Sequence, residues 1–344
     1  MEILLSNNIA INLLVFICLP IMVLYHSRYT QWSTDFLKKS NTDILKGLSI
    51  IVVILSHIAL FTKTGGLVHK VFINSGFLAV SIFLFVSGYG LIVQFSKKEN
   101  YLKGFYKKVL YLYLVFVISN IVVTILNNLF LNTSYGIKDI IISSLKFKFA
   151  NGRELWFVAI IIFMYINFYV AYKFFKGKTS LLVVLIGTAL YIALCKIFGK
   201  GTWWYNTAIC FTIGILFSIH KEKIEKFYKS KYWIKLLMVL FIFSISMILY
   251  TKKVTQLQYI IPIILITLIT MILMKIELKS ISMNFINKIS FEMYLTHLII
   301  LKILFKDSVP INSIYLVLAF PVMIILSIIS QYIIKFIAKI IKIK

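Results

Sequence analysis

Apolar residues in this chain gather into long runs, divided by short segments that hold most of the lysines. Eleven runs come near the roughly 20 residues that a helix needs to cross a hydrocarbon layer. They cover 8–25, 44–61, 71–94, 105–131, 155–175, 180–198, 202–220, 232–250, 257–274, 288–305 and 312–334. Only Gly199-Lys200-Gly201 divides the sixth from the seventh, which predicts a tight turn there. The pattern predicts an all-α fold: a polytopic integral membrane protein with about eleven transmembrane helices.

Composition agrees with the pattern. The chain is 61% hydrophobic, 16% aromatic and 14% charged, with mean hydropathy +0.96, which excludes an ordinary soluble domain of this length. The net charge of +26 rests on 35 lysines and 2 arginines, and these punctuate the apolar runs. They read as topology signals and anionic-headgroup contacts, not as a nucleic-acid surface. Alternate segments (26–46, 97–108, 173–178, 221–235, 275–288, 335–344) hold 25 of the 37 basic residues, and those between hold 12. Only 173–178 is poorer in basic residues than a neighbour on the other side, 138–153. The count predicts an N-terminus outside and a C-terminus in the cytoplasm.

The first run follows Glu2 without a basic start or a small-residue cleavage pattern, so it is expected to remain as a helix. Cys18, Cys195 and Cys210 have no disulfide or metal spacing. The lysine, isoleucine and asparagine usage suggests an AT-rich bacterial genome, hence a bacterial plasma membrane. No repeat, Pro-rich linker or soluble module is visible. In the long outward loop 132–154, Ile137, Ile140, Ile141 and Leu145 interleave with Lys138, Lys146 and Lys148, which predicts a short interfacial helix.

One run carries unusual polar residues. It opens on Asp43 and Lys46 and holds His57 deep among aliphatic side chains. At about 100° per residue, the path from Lys46 to His57 ends about 20° past three full turns, so both lie on one stripe flanked by Asp43. That stripe is roughly 16 Å long. Ionisable groups are expensive inside a membrane helix, which makes the stripe a candidate active site; a packing hydrogen bond is the plainer role for His57.

Other candidates are fewer. In the tenth run, Tyr294 and His297 share a face, and His297 is placed to orient a substrate or His57. Arg153-Glu154-Leu155-Trp156-Phe157 opens the fifth run on the outer side. Glu154 is a candidate to tune His57 or to bind an acceptor hydroxyl; the alternative is an interfacial ion pair beside a belt tryptophan, Trp156. Ser87-Gly88 permits close helix approach or backbone exposure to a ligand. Lys97, Lys98, Lys103, Lys107 and Lys108 offer a cytoplasmic phosphate-facing patch, or plain topology charge.

Together these stretches resemble the membrane acyltransferase family 3, whose members move acyl groups onto surface carbohydrates and related acceptors. Asp43-x-x-Lys46, and the ten residues between Lys46 and His57, are similar to the family's acidic-x-x-basic and basic-x10-His patterns. Ala79 to Tyr89 resembles its Phe-Phe-x-x-Ser-Gly stretch. Leu155-Trp156-Phe157 is similar to its Leu-Trp-Phe, and Ser290 with Tyr294-Leu295-x-His297 to its late Ser…Tyr-Leu-x-His. Departures are Ser81 where an acidic residue is common, Leu84 for the second Phe, and Lys108, Tyr111 and Leu114 where two arginines and a proline are usual. The resemblance implies a ten-helix acyltransferase domain over 41–344, preceded by an extra helix and cytoplasmic linker in 1–40.

It also implies an acyl-CoA donor, most often acetyl-CoA, entering from the cytoplasm, with no metal. The acceptor would be a hydroxyl of a cell-surface polysaccharide such as capsule or exopolysaccharide, or of a lipid-linked glycan. On this reading His57 is the general base, or the acyl acceptor in a covalent route, and Lys46 with Asp43 balances donor charge. Glu154, Trp156, Tyr294 and His297 stand on the acceptor side, and Ser87, Gly88, Lys107 and Lys108 on the donor side. A pantetheine arm is comparable to the roughly 16 Å stripe, and an imidazole with an unperturbed pKa of about 6.5 suits a base at neutral pH. Two rival classes stand beside it. A glycan transporter or flippase would be expected to show paired repeats or broken helices, and only four prolines occur. An acyl-CoA-binding scaffold of a polysaccharide assembly complex is the other.

Overall fold

In hydrocarbon, a backbone satisfies its own N–H and C=O groups within a helix, and all eleven apolar runs are helical. The computed structural model describes residues 5–33, 35–62, 66–306 and 311–343; Glu2 and two of the 37 basic residues, Lys63 and Lys344, lie outside them. The first run is α1 (Ile9–Leu13), a π-helical turn (Leu14–Cys18) and α2 (Leu19–Leu24). Pro20 lacks an N–H for the α-helical ladder, and the wider turn lies immediately before it. There follow α3 (Lys39–Phe61), α4 (Leu67–Phe72), α5 (Gly76–Lys97), α6 (Tyr106–Phe130), α7 (Ile137–Leu145), α8 (Trp156–Phe174) and α9 (Lys178–Ile197). The remainder are α10 (Ile209–Ile219), α11 (Lys221–Lys229), α12 (Tyr232–Thr251), α13 (Ile261–Leu273), α14 (Ile281–Lys288), α15 (Ser290–Leu304) and α16 (Ser313–Ile340). By length and composition, eight helical stretches among the described residues can cross a membrane, so the chain is an all-α, polytopic membrane protein.

Some boundaries differ from those expected, for local reasons. Helix α3 begins five residues before its apolar run, because its polar first turns find partners. Lys39 Nζ and Lys46 Nζ lie 2.7 and 3.0 Å from the two oxygens of Asp43, and Thr42 Oγ1 donates to the Lys39 carbonyl at 3.0 Å. The run 202–220 divides into a 3-10 turn (Thr202–Trp204) and α10. Helices α13 and α15 hold only 13 and 15 residues, about 20 Å each, less than a full crossing. The predicted interfacial helix is α7, with Ile137, Ile141 and Leu145 exposed.

Helix α3 packs on α5, α14 and α15. Gly47 admits α14 closely: a Cβ there would lie 2.3 Å from the Met283 carbonyl oxygen. Gly88 of α5 does the same for α10, where a Cβ would stand 2.0 Å from the Phe211 carbonyl oxygen. Ser56 approaches Gly76, so α5 starts beside the end of α3 and returns toward Lys46. The 97–108 lysines therefore share one end of the bundle with Lys46, called here the lysine-rich end. Helix α12 is exposed along most of its length and buries only Tyr232 and Ser246.

Two short strand pairs tie distant segments: β1 (Leu5–Asn7), β2 (Arg28–Tyr29), β3 (Ile276–Glu277) and β4 (Ile311–Asn312), with β1 parallel to β4 and β2 antiparallel to β3. Around the second pair, Thr30 N–H donates to the Lys275 carbonyl at 2.7 Å, Lys38 pairs with Glu277, and Lys275 Nζ lies 3.6 Å from the Trp32 ring centre. The buried Asn41 side chain receives the Leu278 N–H at 3.1 Å.

Candidate active site

Packing of α15 on α3 brings together two histidines that are far apart in sequence. The rings of His57 and His297 lie 5.1 Å apart, tilted by 40°. His297 is fully enclosed, and its Nδ1 lies 3.0 Å from the Met293 carbonyl one turn earlier. A carbonyl only accepts, so Nδ1 carries the proton and Nε2 is left with a lone pair. That Nε2 is buried without a hydrogen-bond partner among the described residues. His57 is half-buried. Tyr294 completes the group, its ring 6.1 Å from that of His297.

A third element reaches this pair from the loop before α8. Residues 147–155 fold back on themselves. Phe149 N–H donates to Arg153 and Leu155 N–H to Phe147, each at 2.9 Å, and the turn is closed by Gly152 at φ +80°. Asn120 of α6 pins the base: its Nδ2 donates to Ser143 and Ser144 hydroxyls at 2.9 Å, and its Oδ1 accepts from Ala150 N–H at 3.0 Å. The limb containing Glu154 bridges to Lys148 as extended backbone, where successive side chains point to opposite sides. Arg153 turns toward the histidines, close enough to act electrostatically on His57, His297 and Tyr294. No ion pair involves Arg153 among the described residues.

Glu154 faces the other way. Its Oε1 lies 2.7 Å from Lys200 Nζ and 3.4 Å from Lys148 Nζ, and its Oε2 accepts from Trp204 Nε1 at 3.0 Å. The Lys200 hydrogen bond holds its carboxyl below the ordinary value. The ion pair weighed as the alternative role for Glu154 is present, made with Lys200 and Lys148. Trp156 is partly exposed, its ring 6.2 Å from that of Phe157.

Between Lys46 and the histidines lies a cavity of about 210 Å³. Lys46, Ser87, Asn287 and Ser290 line it toward the lysine-rich end, and Phe83, Phe157 and Tyr294 toward the other. Tyr165, also in its wall, lies beside Ser87. Of the residues singled out for the donor, Ser87 faces this space and Gly88 serves the α5–α10 contact. Lys107 reaches the Lys342 carbonyl at 3.1 Å, and Lys108 reaches the Tyr101 hydroxyl at 2.6 Å. Neither lysine lines the cavity, although Lys108 is one helical turn from Leu112, which does. A larger hollow of about 520 Å³ opens between α6 and α16, but its lining is apolar apart from Tyr315 and none of these groups reaches it.

The arrangement is a cation beside two imidazoles, one bearing an unshared lone pair, beyond the aromatic end of a cavity that begins on a lysine. It can take a proton from a hydroxyl and hold negative charge at the same place. Sequence reasoning left three of its members without a role: Arg153, Tyr165 and Asn287. Arg153 carried the one visible signal, as one of only two arginines in a chain with 35 lysines.

Comparison with known proteins adds one finding. The family model for an acyltransferase domain of family 3 matches residues 40–332. No curated protein and no solved structure matches the chain.

Proposed function

The chain belongs to acyltransferase family 3, and from that premise we propose that it moves an acyl group from acyl-CoA across the membrane to a hydroxyl of a cell-surface polysaccharide. The lysine-rich end faces the cytoplasm in this reading, as the basic-residue count predicts. Acetyl-CoA is the donor. Its phosphates meet Lys46 and the neighbouring lysines, and its pantetheine arm enters the cavity toward His57. The acceptor, on capsule, exopolysaccharide or a lipid-linked glycan, approaches from the opposite face.

The observation that carries this reading is Arg153, a cation turned toward two histidines with no carboxylate in an ion pair with it among the described residues. An uncompensated charge in such a place is unfavourable unless a substrate or transition state supplies the opposite charge. In the proposed step the acceptor hydroxyl oxygen attacks the thioester carbonyl as His57 takes its proton. Arg153 stabilises the negative charge that develops on the carbonyl oxygen. The carbon–sulfur bond then breaks, and the CoA thiolate leaves and regains a proton from His57. His297 Nε2, unpartnered in this structure and able only to accept, offers an acceptor beside His57. A covalent route through acyl-His57 uses the same groups in two steps.

Membrane vesicles supplied with labelled acetyl-CoA test this. His57→Ala is expected to lower acyl transfer by roughly 10²–10⁴-fold while the protein remains folded. Undiminished transfer by that variant would remove His57 from the reaction, and glycan mass unchanged in a deletion strain would remove the activity.

A further inference from the structure

The cavity that begins at Lys46 stops short of the histidines. Neither His57 nor His297 lines it, and its far end is closed by Phe157 and Tyr294, whose rings lie 5.0 Å apart. Tyr294 is wedged there. Its hydroxyl lies beside the backbone N–H of Phe157, in the first turn of α8, where N–H groups lack helical partners. The Phe157 ring has no polar group and is held by packing alone, 5.8 Å from Phe83 and 6.4 Å from Phe291. Tyr294 in turn abuts His297. A group carried from the cavity to His57 must therefore pass the Phe157 ring.

We propose that Phe157 sets the size of the acyl group: with Tyr294 it forms an aromatic bulkhead that admits acetyl or propionyl to His57 and excludes longer or branched chains. This inference rests on the acyl-transfer reading above and names its donor class. A close-packed wall admits additional methylenes only by displacing its neighbours. Because Tyr294 is wedged between Phe157 and His297, the side of the wall that can change without disturbing a histidine is Phe157. Removing that phenyl ring would join new space to the existing cavity without disturbing Lys46 or either histidine.

The test is a chain-length series of acetyl-, propionyl-, butyryl- and hexanoyl-CoA, assayed with membranes containing wild type, Phe157→Leu or Phe157→Ala. The readout is the ratio of butyryl to acetyl transfer. In wild type this ratio is expected well below one. In Phe157→Ala it is expected to rise by roughly 10-fold or more, the usual scale for a methylene in a fitted pocket, with Phe157→Leu between. Wild type that transfers butyryl as readily as acetyl overturns the proposal, as does an unchanged ratio in an active Phe157→Ala. Should Phe157→Ala not fold, Phe157→Leu keeps most of the volume and carries the same comparison. Failure of the parent reading looks different: wild type would then transfer no acyl group of any length.

Discussion

Arg153 and Glu154 are consecutive in the chain and opposite in circumstance. Glu154 has three donors, from Lys148, Lys200 and Trp204, and its carboxylate is satisfied in the folded protein. Arg153 has no ion pair among the described residues and faces two imidazoles, one of which keeps a buried, unpartnered nitrogen. One cluster is complete without a ligand; the other is electrostatically unfinished. A saturated network contributes rigidity, whereas an unsaturated one inside a packed protein persists where a bound molecule finishes it. The two are mechanically joined, since the clamp on Glu154 fixes the turn that aims Arg153.

That contrast breaks most readily at Arg153. Arg153→Gln is expected to reduce acyl transfer by roughly 10²–10³-fold, the scale for losing one donor to a developing oxyanion. Its melting temperature should stay level or rise, because a charge without a partner has been removed. Activity near wild type in that variant would end the distinction between the clusters. Arg153→Lys is expected to restore little, since an ammonium lacks the planar fork of a guanidinium.

Glu154→Ala should show the reverse profile. Stability falls by about 1 kcal/mol, the scale of a partly exposed charged hydrogen-bond network, and activity falls less than in Arg153→Gln. Thermal unfolding in detergent and acyl transfer, measured on the same preparations, separate the two effects. A loss of activity as large as that of Arg153→Gln with unchanged stability would make Glu154 part of the reaction.

The smallest effect is in pH. The folded Glu154 carboxyl titrates below its ordinary value of 4.5, held there first by Lys200. Its contribution is therefore present above that pH and is lost as pH falls through the folded-state value. The difference in melting temperature between wild type and Glu154→Gln should be constant near neutrality and shrink toward zero in acid. A difference that grows in acid would mean that the clamp does not hold the carboxylate form.

The sequence carried the architecture well, because a membrane leaves the backbone few options: every run became helical, although 202–220 divided into a 3-10 turn and α10. It also carried the stripe from Asp43 and Lys46 to His57, which is local helical geometry, and the shared face of Tyr294 and His297. Meeting of the two histidines was legible only as a likeness of depth. The partners of Glu154 were not legible, because Lys200 and Trp204 come from the following hairpin, which a local reading does not see. Arg153 escaped for a related reason: which of two neighbours in an extended limb faces inward depends on what the loop packs against. Gly88 was readable as a packing residue, and its contact with Phe211 is of that kind.

The seam between residues 22–41 and 274–283 bears on how the chain is made. Asn41 is bonded to Leu278, Lys38 is paired with Glu277, and Ser280 donates its hydroxyl to the Met22 carbonyl at 2.6 Å. These partners are separated by 237 to 258 residues. During synthesis, the first forty residues must wait until most of the chain has emerged before this seam can close. Its closure is thus a late, slow step in assembly, as contacts of long sequence separation are. Lys46 follows that seam on α3 by a few residues, so the mouth of the cavity is among the last parts of the molecule to take its final form.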